Sequence, residues 1–162
     1  MLRMSSQQFR ARCAQFRLLA YCTVFFVIAA MAVSIAAPVL RGAVAPSDPV
    51  ALVGLVGQMP ALFYLGAMLG IGQALGRLAQ GRPIQPTLAN ALRRVGLALS
   101  GGGIVSVFMV TNLVRWISGG RGGYLNFDVA GMTLALTGIA LILLGHVVTA
   151  AVRLQAEMDD SL

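Results

Sequence analysis

Four runs of this chain carry no ionised side chain: Leu18–Leu40, Pro49–Gly76, Val95–Val114 and Val129–Val152, with arginine-bearing segments between them. A helix rises 1.5 Å per residue, so about 20 apolar residues cross a hydrocarbon layer of about 30 Å. Each run meets that length. A bilayer supplies no water to satisfy exposed backbone groups, so a spanning segment of this kind must be helical. The pattern predicts an all-α polytopic membrane protein: a single membrane domain over residues 1–162, built as a four-transmembrane-helix bundle. Its spans fall at about 18–40, 51–76, 95–114 and 129–152, with an inner loop at 77–94 and a tail at 153–162.

The connections carry turn and cap chemistry. Ala45-Pro46-Ser47-Asp48-Pro49 is a turn in which Ser47 or Asp48 can cap the second span. Gly119-Gly120-Arg121-Gly122-Gly123 permits positive φ, and Trp116 and Tyr124 flank it as interfacial aromatics. Asn126 or Asp128 can cap the fourth span. The second span is irregular. Gln58 and Pro60 interrupt its outer half, so a kink or a true helix start is expected there, with a re-entrant segment at Val50–Gln58 as the alternative.

Composition agrees with the pattern. The chain is 58% hydrophobic and 10% charged, against about 25% charged in a soluble domain. Its net charge of +7 comes entirely from arginine. Arg17, Arg41, Arg77, Arg93, Arg94, Arg115 and Arg153 adjoin apolar runs, where guanidinium groups reach lipid phosphates; direct nucleic-acid binding is therefore not expected. Nine arginines precede the first span, lie between the second and third, or follow the fourth; three lie in the alternate loops. The positive-inside rule then places both termini and the central loop in the cytoplasm. The first apolar run is too long for a signal-peptide core, and Arg41 separates it from Ala43-Val44-Ala45, so it reads as a retained span.

Small residues mark faces along which helices approach closely in lipid. Gly131, Gly138 and Gly145 recur every seven residues, with Ala135 and Thr149 on the same stripe. That is the spacing of a left-handed bundle. Gly66 and Gly70 mark a second face, and Ser100-Gly101-Gly102-Gly103 a third. Periodicity leaves open whether the partner helix belongs to this chain or to another.

Candidate chemistry is sparse. His146 is the one histidine, and it lies inside the fourth span. Its readings are an interhelical hydrogen bond, a gating or proton-handling role, or an axial cofactor ligand. Without accompanying carboxylates or further histidines it makes no metal site, and no cofactor is expected. No acidic residue lies within a run, which disfavours ion-coupled transport and a nucleophile–base–acid arrangement. Cys13 and Cys22 are too far apart on one helix to bridge.

The polar segments concentrate on the expected cytoplasmic side. In the loop, Pro83 and Pro86 suggest an extended turn before the helix restarts, and Arg82, Arg93 and Arg94 are candidate partner-binding residues. In the tail, Glu157 and Asp159 reverse the charge and could pair with the loop or with a partner.

Gly81-Arg82-Pro83-Ile84, the stretch Asn90-Ala91-Leu92-Arg93-Arg94-Val95-Gly96 and the tail Ala151–Asp159 resemble a bacterial four-span family, domain of unknown function 2975. The resemblance implies an inner-membrane multi-pass protein without catalytic residues. It also implies a partner role, with sequestration or regulation of a cytoplasmic helix-turn-helix transcription factor. An accessory subunit of a respiratory or photosynthetic membrane complex, or a small transporter or channel, are the alternative expectations.

Overall fold

The computed structural model describes residues 6–42, 45, 48–81, 83–120 and 128–159. All regular structure among them is helical. The elements are α1 (Ser6–Leu40), α2 (Pro49–Gly57), α3 (Met59–Ala79), α4 (Ile84–Ile104), a π-helical stretch (Val105–Val110), α5 (Thr111–Ile117) and α6 (Val129–Asp159). They assemble four continuous or near-continuous rods long and apolar enough to cross a membrane: Ala14–Leu40, Pro49–Ala79, Ile84–Ile117 and Val129–Met158.

The second rod is two helices. α2 ends at Gly57 and α3 begins at Met59, with Gln58 at the joint and Pro60 in the first turn of α3. Proline has no N–H to donate, and the first turn is where that loss costs nothing. The Val50–Gln58 segment is thus helix up to Gly57. α4 starts at Ile84, well before the charge-free run, and takes Pro86 into its first turn. The extended turn expected around both prolines is therefore confined to Pro83, which is extended at φ −55° and ψ 132°. Gly81 ends α3 at φ 79° and Gly119 ends α5 at φ 75°, left-handed conformations that a Cβ would oppose.

The surface is apolar and the interior is small. Phe25 and Phe26 are about three-quarters exposed, while the buried set is Val24, Val56, Leu65, Ala67, Ala89, Val95 and Val107, with buried glycines among them. A water-soluble fold would reverse this. Close backbone approach takes the place of side-chain bulk.

The α4–α6 pair is the most extensive contact. A Cβ on Gly96 would stand 2.5 Å from the Gly138 carbonyl oxygen; one on Gly138 would stand 2.6 Å from the Gly96 carbonyl and would overlap the Ser100 amide. Gly103 is pressed in the same way against Gly131 and Ala135, and Gly145 against Arg93 and the Ala89 carbonyl. Ala89, Gly96 and Gly103 recur every seven residues, the same period as Gly131, Gly138 and Gly145 on α6. Two antiparallel small-residue seams therefore mate within one chain. The neighbouring glycines of α4 serve another helix: Gly101 and Gly102 receive Phe63 and Tyr64 of α3.

On α3 the close contacts differ from the expected pair. Gly66 is exposed, with nothing within 4 Å of its Cβ position, and Gly70 makes an ordinary 3.4 Å contact with Val95. The tighter positions are Gly72, against Ala20 and Tyr21, and Gly76, against the stem of Arg17. A four-residue glycine spacing marks a usable face only where a partner lies over it, and α1 crosses α3 nearer its arginine-bearing end.

Candidate functional site

Most polar groups in the rods are satisfied within their own helix. Thr23, Ser100, Asn112, Thr133, Thr137 and Thr149 each donate to the carbonyl four residues back. His146 does likewise: Nδ1 donates to the Ile142 carbonyl at 2.9 Å, and the residue is exposed. The interhelical bond expected of His146 is replaced by this local one, because its side of α6 faces away from α4. Among the described residues no group of three or more histidine, cysteine, aspartate or glutamate side chains could hold a metal.

Two polar contacts do cross between helices. Gln58 Nε2 donates to Ser34 Oγ at 3.2 Å, tying the joint of the second rod to α1. Ser106 Oγ, inside the π-helical stretch, donates to Asp128 Oδ2 at 2.8 Å. Asp128 also accepts from the Ala130 amide at 3.1 Å and caps α6, while Asn126 lies outside the described residues. Gly131 must lack a Cβ for this cap to close, since one would stand 2.7 Å from Oδ2. At the other turn Asp48 sits before α2, but its carboxylate accepts from the Ala45 amide at 2.8 Å and caps nothing; Ser47 is outside the described residues.

The Ser106 hydroxyl and then the Gly131 amide hold the Asp128 carboxyl below the usual carboxylate range. A depressed folded-state pKa contributes stability that is complete above the unfolded value, about 4, and is lost as pH falls through the folded value. Wild-type protein should therefore lose folded helix on acidification below about pH 4, and Asp128→Asn should flatten that part of the curve. Far-UV circular dichroism along an acid titration in detergent measures both slopes; parallel slopes would rule out this linkage.

Beyond the joint, α2 leans on α5 and the π-helical stretch and leaves the end of α1. A wedge of about 410 Å³ opens between them, walled by Ile35, Pro38, Val39, Leu52 and Leu55 and floored by Ser34 and Gln58.

The opposite end gathers the arginines. Arg17 lies along Gly76, Arg93 along Gly145, and Arg77 and Arg94 line a crevice between α3 and α4. Past this level α4 and α6 continue as helix. Ile84 is 60% exposed, Leu88 43%, Leu154 60% and Met158 62%, beside exposed Arg93, Arg94 and Glu157. This is where the expected loop and tail residues come together on one end of the bundle. Arg82 and the side chain of Asp159 lie outside the described residues, and Glu157 forms no ion pair among those described.

No family model, curated protein or solved structure matches the chain. The site must therefore be read from its own geometry. Sequence reasoning missed Ala89, Gly96 and Gly103, although their seven-residue recurrence was available, and missed Ser106, whose role depends on a residue 22 positions away.

Proposed function

We propose that the protein is a non-enzymatic, multi-pass protein of the bacterial inner membrane that binds a protein partner at its arginine-bearing end. Both termini and the 77–94 loop are then cytoplasmic, as the nine-to-three arginine distribution favours. The observation that carries the reading is the joint projection of α4 and α6 beyond the arginine level, with Ile84, Leu88, Leu154 and Met158 exposed next to charged groups. Apolar anchors rimmed by arginine and carboxylate are the makings of a protein interface. The resemblance of the loop and tail to domain of unknown function 2975 adds the identity class of the partner, a helix-turn-helix transcription factor held at the membrane as a regulatory step.

The test is affinity purification after mild detergent extraction from the native host. Wild-type protein should bring down a stoichiometric DNA-binding protein, and the triple variant Arg82→Ala, Arg93→Ala, Arg94→Ala should lose it. Unchanged recovery by the triple variant would sink the docking assignment. A second reading, an accessory subunit of a larger membrane complex, is favoured by the wedge between α1 and α2, which a helix of another subunit would fill. In that case the same preparation yields a membrane-embedded companion that survives the triple substitution.

A further inference from the structure

The hairpin formed by α3, its loop and α4 holds positive charge with no negative charge of its own. From Pro49 to Phe127 the sequence contains no aspartate or glutamate, yet it contains Arg77, Arg82, Arg93 and Arg94. Arg93 is committed to the α6 side, its stem lying over Gly145. Arg77 and Arg94 turn to the other side and line the crevice between α3 and α4, together with Gln73, Thr87, Asn90 and Gly70. Neither arginine forms an ion pair among the described residues.

The crevice has a polarity of its own. Each helix presents a carboxamide one turn from an arginine: Gln73 and Arg77 on α3, Asn90 and Arg94 on α4. The Thr87 hydroxyl is spent on the Pro83 carbonyl at 2.8 Å, so its oxygen is left as an acceptor. The free donors are two guanidinium forks and two carboxamide N–H₂ groups; the free acceptors are the two carboxamide oxygens and Thr87 Oγ1. A phosphate diester is a monoanion that only accepts, and guanidinium forks match its oxygens in pairs. The acceptors left over suit hydroxyl groups carried next to that phosphate. The crevice also lies at the boundary between the charge-free runs and the arginine-bearing end, where lipid phosphates stand in a spanning protein.

We propose that this crevice is a binding site for the headgroup of an anionic phospholipid bearing hydroxyls, of the phosphatidylglycerol class, clamped between Arg77 and Arg94. The bound phosphate supplies the counter-charge that the α3–α4 hairpin lacks and ties the two helices together. The site goes beyond partner binding and shares only Arg94 with the docking residues, so Arg77→Gln separates the two. Loss of lipid with the protein partner retained tells against the docking role of this region alone no more than it supports it, and counts as a positive result for the clamp.

Native mass spectrometry of detergent-purified full-length protein, with added phosphatidylglycerol, phosphatidylcholine or inorganic phosphate, tests the site. Wild-type protein should retain phosphatidylglycerol selectively and gain thermal stability from it. The Arg77→Gln, Arg94→Gln variant should retain about tenfold less, the scale of one lost charge-assisted contact, while Arg153→Gln, on α6, should retain it fully. Equal loss in Arg153→Gln, or unchanged retention in the double variant, would overturn the site. The same stabilisation by inorganic phosphate would overturn the lipid assignment in favour of a free anion. Should the double variant fail to fold, Asn90→Glu carries the test. It keeps both arginines and places a carboxylate between them, so it should displace the lipid; undiminished retention would overturn the clamp.

Discussion

Gly138→Leu is expected to separate α4 from α6 and to unfold the bundle at ordinary temperature in detergent. The position has no slack. A Cβ there meets the Ser100 amide and stands 2.6 Å from the Gly96 carbonyl, and both are helix backbone that cannot rotate aside as a side chain would. Overpacking a well-filled interior costs about 1–3 kcal/mol even where side chains can shift, so about 3 kcal/mol or more is the reasonable expectation against rigid backbone. The helices must move apart, and every contact along the seam, from Gly103–Gly131 to Gly145–Ala89, loosens with them. Gly66→Leu is the matched control: it makes the same chemical change at an exposed glycine with open space around its Cβ position. Thermal unfolding of both variants by circular dichroism measures the difference. Equal melting temperatures would show that the seam does not hold the pair.

The same seam shows what was legible in the sequence. Charge-free length located the four rods, because the requirement to cross a hydrocarbon layer is one-dimensional and is written directly in composition. The glycine period of α6 was visible for the same reason. Its partner was hidden by Ser100-Gly101-Gly102-Gly103, four small residues in a row that serve two neighbours at once: Gly103 faces α6, while Gly101 and Gly102 face α3. A run of small residues has no single face, so it masks the seven-residue recurrence of Ala89, Gly96 and Gly103. Gly66 erred in the other direction. Its spacing to Gly70 fits a packing motif, but spacing cannot say where along α3 the neighbouring helix crosses.

The candidate site was half legible. Arginine placement pointed to the end of the bundle that matters, and Glu157 follows from the tail's change of sign. The pairing of Arg77 with Arg94 in one crevice was not visible, because it depends on the antiparallel register of α3 and α4 that Gly70–Val95 and Phe63–Gly101 set. His146 drew attention as the lone ionisable group in a span, yet its nearest acceptor was always the carbonyl four residues behind it, which any helix supplies.

Deleting one residue from the third rod should have opposite consequences on the two sides of Ile104. Removal of Leu99, in α4, shortens the Gly96–Gly103 interval from seven residues to six. One residue of an α-helix is about 100° of rotation, so either Gly96 or Gly103 leaves the seam and α6 is lost as a partner. Removal of Met109, exposed and within the π-helical Val105–Val110, acts where the helix already carries a surplus residue. A π-turn accommodates such a surplus by widening the hydrogen-bonded ring, and deleting it lets the stretch close as α-helix with both flanks in place. Val107, 2% exposed, keeps its inward direction, and Arg115 and Trp116 keep theirs at the far end. What the π-turn supports locally is the bond from Ser106 to the Asp128 cap. The expected result is therefore a folded Met109-deletion protein of near wild-type melting temperature whose acid sensitivity below about pH 4 is altered, beside a Leu99-deletion protein that does not fold. Equal damage from the two deletions would mean that the π-helical stretch is not a surplus-residue bulge, and that the register of the third rod is fixed on both sides of Ile104 by the same close packing.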